Sequence, residues 1–227
     1  MYVKICGLRN PAHARLAAEL GADAIGVVMS PGTPRDTTRT EAAAVIAEAR
    51  RTRSDIDTVL VVNTLDAVEA ADIAADLGFD VVQLHGAKYG ADDFIAAQQR
   101  VSRVWRATSL VHAPDVRAGE FGEARLLLDG VSPGSGNPWA VEHLDGAGDL
   151  RERIGSSWLL AGGLSPANVA EAVAAARPGG VDVSSGVESA RGVKDSELIR
   201  DFITAVREYE VSLRERGVQE MSETRAK

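Results

Sequence analysis

The 227-residue sequence contains one cysteine, Cys6. A single thiol excludes an intrachain disulfide and a multi-cysteine metal site, and it fits a reducing cytosol. Positive charge is in short supply: 25 Lys and Arg stand against 33 Asp and Glu, a formal net charge of −8. That balance argues against nucleic acid, whose phosphates are met by clustered Lys and Arg. An anionic small molecule would need a local basic or amide-lined pocket. No uninterrupted apolar run reaches the roughly 18 residues of a membrane-spanning helix, and no basic region followed by an apolar stretch opens the chain. The protein is therefore expected to be soluble and cytoplasmic, with no membrane partner. No GxGxxG follows the first β-prone run, which removes the dinucleotide turn of a doubly wound sheet. His13, His85, His112 and His143 form no His/Asp cluster with metal-ligand spacing, so no metal is expected.

What is present is rhythm. With 45% hydrophobic residues the chain can bury a full core, and its length is ordinary for one α/β domain. Short β-prone runs alternate with Ala-rich stretches whose apolar residues recur at three or four. The runs at 2–6, 24–28, 58–62, 81–84, 103–107, 125–129, 158–161 and 181–184 predict eight strands. Helices are predicted at 11–20, 39–51, 65–77, 91–100, 140–154, 166–176 and 196–210, with a weaker stretch after Thr108. Asn10 before Pro11 and Ser165 before Pro166 read as N-caps followed by proline at the first helical position. Gly21, Gly78 and Gly179 read as helix C-caps. Eight parallel strands with helices between them predict a (βα)8 barrel over residues 1–210, followed at 211–227 by a solvated helix extension or tail.

A barrel of this kind works at the C-terminal ends of its strands, where Cys6, the 29–38 loop, Gln83 to Gly86, Asp129, Gly162 and Ser184 fall. Taken locally, each has an ordinary reading too. Cys6 could be a small core residue, Asp129 a helix cap, Arg35 a solvated loop arginine, and Gly162, Gly163 and Gly186 turn glycines. Gln83 and His85 share one strand face, so they line a pocket together or His85 serves a structural hydrogen bond. Asp182 lies within the last strand, facing either the barrel mouth or a structural polar network.

The ordered segments decide between these readings. Lys4-Ile5-Cys6-Gly7-Leu8, then 21–26 leading to Ser30-Pro31-Gly32-Thr33-Pro34-Arg35, Val82-Gln83-Leu84-His85-Gly86, Leu127-Leu128-Asp129, Ala161-Gly162-Gly163-Leu164, and 181–188 followed by Gly192-Val193-Lys194-Asp195 resemble the phosphoribosylanthranilate isomerase family over residues 2–206. The resemblance implies an Amadori rearrangement of N-(5-phosphoribosyl)anthranilate in tryptophan biosynthesis, with no cofactor and a small phosphoribosyl substrate as partner. It leaves monomer and homodimer both open. It implies Asp129 as general acid on the furanose oxygen and Cys6 as general base at C2'. Arg35 would hold the anthranilate carboxylate. Gln83, His85 and Asp182 would line the substrate pocket, and Gly162, Gly163, Ser184, Ser185 and Gly186 the phosphate loops. One stretch departs from the family: Ser132 to Trp139 is shorter than the usual glycine-rich loop and lacks its Lys-Thr. Other phosphosugar barrels share the phosphate loops, but the Lys-Ile-Cys-Gly start discriminates against an indoleglycerol-phosphate synthase relative and a histidine-pathway isomerase. A barrel kept only for binding draws its sole support from the altered 132–139 loop.

Overall fold

The computed structural model describes residues 1–129 and 150–225, with side chains to residue 215. Eight strands, β1 (Tyr2–Cys6), β2 (Ala24–Val28), β3 (Asp57–Val62), β4 (Val81–His85), β5 (Val104–Ser109), β6 (Arg125–Asp129), β7 (Leu159–Leu160) and β8 (Gly180–Val183), pair in chain order as a closed barrel. Closure is made by β1 lying parallel to β8, with Lys4 opposite Asp182. Within each strand the side chains alternate, and two separate apolar cores result. Val3, Ile5, Ile25, Val27, Leu60 and Val62 point outward into the layer shared with the helices. Cys6, Ala24, Val59, Val61, Val81, Trp105, Ala107, Leu127, Leu159 and Ala161 fill the interior. The expected strands all form, within two residues of their expected ends.

The helices are α1 (Pro11–Glu19), α2 (Arg39–Thr52), α3 (Ala67–Leu77), α4 (Ala91–Gln98), α5 (Leu150–Ile154), α6 (Val169–Ala176) and α7 (Ser196–Arg225). Local chemistry starts them as it should. The Asn10 side chain accepts from the Ala12 N–H ahead of α1, Thr38 and Glu41 form a capping box on α2, and Asp66 caps α3. Gly78 closes α3 in the left-handed conformation, which costs glycine nothing. A short hairpin, β9 (Glu188–Ala190) with β10 (Val193–Lys194), follows β8 over the mouth side.

Three expectations are corrected. No helix follows β5 among the described residues: 110–124 runs as turns, with Gly119 and Gly122 at positive φ. The Glu123 carboxylate accepts from the Gly119 and Phe121 N–H groups, each at 2.9 Å, taking backbone donors that a helix would have used internally. Ser165 is not the cap of α6. It opens a turn whose N–H donates to the Asn168 side chain at 2.7 Å, and α6 begins after Asn168. Gly179 is not a C-cap either, since Arg177 holds that place at φ 49; a Cβ at Gly179 would lie 2.4 Å from the Ser156 carbonyl oxygen, so close packing demands the glycine. The last helix runs on from 210 to Arg225, the helix extension being the form that the 211–227 segment takes as far as it is described. Of the helix expected at 140–154, residues 150–154 are helical and the remainder lies outside the described residues, as does the 132–139 loop.

The bottom of the barrel is closed by a polar plug. Arg103 grips the Asp57 carboxylate with two bonds of 2.6 and 2.9 Å, and the Tyr2 hydroxyl donates to the same carboxylate at 2.5 Å. The Arg125 guanidinium stacks 3.9 Å from the Tyr2 ring centroid and 5.1 Å from that of Trp105. This end carries stability, leaving the opposite end for chemistry. Gly180 is part of that closure: a Cβ there would meet the Tyr2 carbonyl oxygen at 2.4 Å and Leu159 Cδ2 at 2.7 Å. Gly180→Ala is expected to cost about 1–3 kcal/mol of overpacking, lowering Tm by roughly 2–12 °C in a chain of this size. Thermal unfolding followed by circular dichroism checks it, and an unchanged Tm would show that the barrel end yields freely.

Candidate active site

At the mouth, β1 delivers Cys6, and the chain then turns at Gly7 with φ 78. A side chain at Gly7 would strike Arg35 Cδ at 2.7 Å and Ser184 Oγ at 3.2 Å, so the glycine lets three loops converge. The loop carrying Arg35 is pinned at both ends. The Ser30 N–H donates to Asp36 Oδ1 at 2.8 Å, and Thr37 Oγ1 donates to the Val28 carbonyl at 2.6 Å. Arg35 therefore reaches inward from a fixed base, with Nε and Nη2 donating to the two oxygens of Glu188 at 2.6 and 2.9 Å.

Glu188 is the hub of this corner. Besides Arg35 it accepts from Lys194 Nζ at 2.7 Å and from the Gly192 N–H at 2.9 Å. Burial alone would raise the Glu188 carboxyl, but these donors outweigh it and bring it down to about 2. Lys194 also donates to the Ser184 carbonyl at 2.8 Å and to Ser184 Oγ at 3.2 Å, which ties the hairpin to the loop after β8. Burial lowers the Lys194 ammonium against the pull of Glu188.

Two further inward side chains sit deeper. Lys4 is fully buried and donates to Asp182 Oδ1 at 2.8 Å, across the β1–β8 seam. Burial opposes its charge, yet Asp182 and Cys6 together raise Lys4 above the ordinary lysine value. Cys6 is governed by burial, which pushes its thiol up; Lys4 pulls it down, Asp182 pushes it up, and Lys194 pulls it down. His85 Nε2 lies 3.5 Å from Asp129 Oδ2, and burial holds the imidazole below its usual pKa, so it is neutral at pH 7. Gln83 is 1% exposed, and among the described residues its Oε1 has no hydrogen-bond partner. An orphaned acceptor of this kind costs energy unless a ligand or water meets it.

One pocket gathers these groups: Cys6, Arg35, Gln83, His85, Asp129 and Asp182 line it, together with Gly162, Gly163, Ser184 and Ser185. Gly162 and Gly163 take φ 85 and 67, and their loop is held by Asn168 Nδ2 donating to the Gly163 carbonyl at 2.9 Å. Gly186 does not line the pocket. It sits in the 3-10 turn Ser185–Val187 behind it, where a Cβ would fall 1.7 Å from the Leu164 carbonyl oxygen. A glycine at 186 thus lets the two glycine loops pack against each other. Ser30 of the expected 29–38 loop lines the pocket too; Asn63 and Arg191 also line it and were not anticipated, nor were individual roles for Lys4, Glu188 and Lys194. For Lys4 a signal existed, since a lysine two residues before Cys6 on one strand must face the same interior. Among the described residues no group of three His, Cys, Asp or Glu side chains could hold a metal. No described helix is long and apolar enough to cross a membrane.

A closed parallel barrel whose acid, thiol, guanidinium and glycine loops meet at the C-terminal mouth defines a (βα)8-barrel enzyme. The sequence model described as N-(5'phosphoribosyl)anthranilate (PRA) isomerase matches residues 3–205, and the chain belongs to that family. The N-(5'-phosphoribosyl)anthranilate isomerase of Roseiflexus sp. (strain RS-1) is 42% identical over 214 residues, 90% of this chain and 97% of that one. The crystal structure of TrpF from Jonesia denitrificans is similar at 44% identity and a TM-score of 0.81, covering 92% of this chain and 98% of that one. A phosphoribosyl anthranilate isomerase solved in complex with reduced 1-(o-carboxyphenylamino)-1-deoxyribulose 5-phosphate is 30% identical, with a TM-score of 0.75 and coverage of 91% and 98%.

The depressed Glu188 carboxyl gives the corner a pH signature. A carboxyl whose folded value lies below its unfolded 4.5 contributes stability that is complete above that pH and is lost as pH falls through about 2. Glu188→Gln should therefore lower Tm at pH 7, and the gap to the unmodified protein should narrow between about pH 4.5 and 2.5. Paired thermal melts across that range test it. A gap that stays constant with pH would mean the charge of Glu188 does not hold the corner.

Proposed function

We propose that the chain catalyses the Amadori rearrangement of N-(5'-phosphoribosyl)anthranilate to 1-(2-carboxyphenylamino)-1-deoxyribulose 5-phosphate, a step of tryptophan biosynthesis in the cytoplasm. The observation that carries this reading is that Cys6 and Asp129 open into one pocket with Arg35 and the glycine loops after β7 and β8. Asp129 gives its proton to the furanose oxygen, and the ring opens as the nitrogen lone pair forms the Schiff base. The Cys6 thiolate then takes the proton from C2', and the resulting enolamine tautomerises to the aminoketose. The close approach of His85 to Asp129, 3.5 Å, supports a neutral imidazole steadying the acid or the departing oxygen.

Binding falls to the rim. Glu188 engages Nε and Nη2 of Arg35, which leaves Nη1 of the fork to donate to the anthranilate carboxylate. The Gln83 Oε1 suits a sugar hydroxyl or the substrate N–H as its missing donor. Backbone N–H groups around Gly162, Gly163, Ser184 and Ser185 suit the phosphate, with Gly186 permitting their approach. Asp182 serves through Lys4 rather than by meeting the substrate alone. The net charge of −8 leaves a small phosphoribosyl anion, not nucleic acid, as the partner.

Loss of anthranilate-type fluorescence on mixing with freshly generated N-(5'-phosphoribosyl)anthranilate tests the reaction. Cys6→Ser and Asp129→Asn are each expected to cut kcat by at least about 100-fold with folding retained, the scale of acid–base catalysis. Arg35→Ala should raise KM by roughly 10- to 100-fold, the cost of a lost charge-assisted bond. Turnover near that of the unmodified protein in either of the first two would remove that residue from the chemistry, and an unchanged KM in the third would remove the carboxylate anchor. No fluorescence loss with the unmodified protein would reject the reaction itself.

A further inference from the structure

The geometry points to Lys4 as a positioning residue for the acid–base chemistry: a buried ammonium, held by Asp182, that serves as the counter-charge of the Cys6 thiolate. The inference rests on Cys6 being the base, and it adds a group that does not itself meet the substrate.

Three observations meet at this spot. Lys4 and Cys6 are two apart on β1, so both point into the barrel. Lys4 is 0% exposed, and its Nζ stands 2.8 Å from Asp182 Oδ1, which fixes the long side chain in one direction. The neighbouring strand leaves space that borders both side chains: a Cβ at Gly26 would lie 2.8 Å from Cys6 Sγ and 3.2 Å from Lys4 Cε. A side chain at position 26 would crowd both the sulfur and the lysine stem.

The other charged groups around the thiol do not supply the same contact. From the β2–α2 loop and β10, Arg35 and Lys194 are both taken up by Glu188. From β4 and β6, His85 and Asp129 face each other at 3.5 Å. From β8, Asp182 is an anion and opposes a thiolate; it helps only by holding Lys4. Burial pushes the thiol up, and Lys4 is the largest influence in the opposite direction. When Cys6 takes the C2' proton, the sulfur becomes neutral and the ammonium keeps its Asp182 partner.

Cys6 is the only cysteine, so a thiolate titration followed at 240 nm, backed by the pH dependence of alkylation with iodoacetamide, reads this sulfur alone. In Lys4→Met the midpoint should move up by at least about one unit, roughly tenfold less thiolate at a given pH. Turnover at pH 7 should fall about tenfold or more with KM little changed, and the deficit should shrink as pH rises toward the new midpoint. A purely structural role for Lys4 would give no such recovery. Should Lys4→Met not fold because Asp182 is left unpaired, Lys4→Met combined with Asp182→Asn removes both charges; a smaller upward move is then expected, since the influence of Lys4 on the thiol exceeds that of Asp182. A midpoint that is unchanged or lowered in the folded variant overturns the inference. Cys6→Ser turnover is read separately: a shifted titration with an active Cys6→Ser would sink the role of Cys6 as base while leaving the pairing intact, and an inactive Cys6→Ser with an unshifted titration would do the reverse.

Discussion

Closing eight parallel strands on themselves commits every second side chain to an interior that water does not fill, and the rest of this molecule follows from that constraint. Each strand has room for about three inward residues, so the barrel must be resolved into layers. Here the lower layer is the Tyr2, Asp57, Arg103 and Arg125 plug, the middle is apolar around Val59, Val81, Trp105 and Leu127 apart from buried Lys4, and the upper carries Cys6, His85 and Asp129. The apolar middle separates the two polar ends. Stability and chemistry are thereby assigned to opposite faces of one sheet, and the loops at the mouth can differ without touching what closes the bottom.

Burying charge in such an interior is expensive, and this structure does so in pairs. Lys4 with Asp182 and Glu188 with Arg35 and Lys194 are both removed from water. Buried ion pairs of this kind add little net stability over apolar packing, while losing one partner costs about 3–5 kcal/mol. Their retention on the mouth side of the barrel follows from what they do there. Glu188 orients a guanidinium and links the β8 loop to the hairpin beyond it, and Asp182 holds an ammonium beneath a sulfur. Both are orientation devices: each spends a charge to fix the direction of a second one.

The order of elements could be read from the sequence because strands such as 24–28 and 125–129 are short, β-branched or Leu-rich, and bounded by turn residues, a pattern with few alternatives. The helix expected weakly after Thr108 failed where Glu123 captures the backbone donors, a competition between side chain and helix that apolar spacing does not display. Gly179 was misread for a related reason. Glycine after a helix signals either positive φ or close approach, and only the three-dimensional neighbour, the Ser156 carbonyl, tells which. Of the site, the residues that end strands were legible by position and resemblance, whereas the partners that hold them were not. Lys4 and Asp182 are 178 positions apart and Arg35 and Glu188 are 153 apart, so nothing in local pattern joins them. Barrel closure does that, by setting β8 beside β1.

The same closure accounts for a tension at the centre of the site. A thiol at the end of an inward strand is desolvated, which favours its neutral form, yet the role proposed for Cys6 calls for the anion. Exposing the sulfur would relieve the first difficulty but would surrender the dry, fixed geometry in which a weak C–H acid can be met at close range. The cations at the rim, Arg35 and Lys194, are already engaged by Glu188. The remaining direction is from below. Strand alternation makes position 4 the one that underlies position 6, and β8 closing against β1 brings a carboxylate to that level to keep the ammonium charged. Gly26 leaves the space the contact needs, so a residue with no side chain is as much a part of the arrangement as the charges it admits.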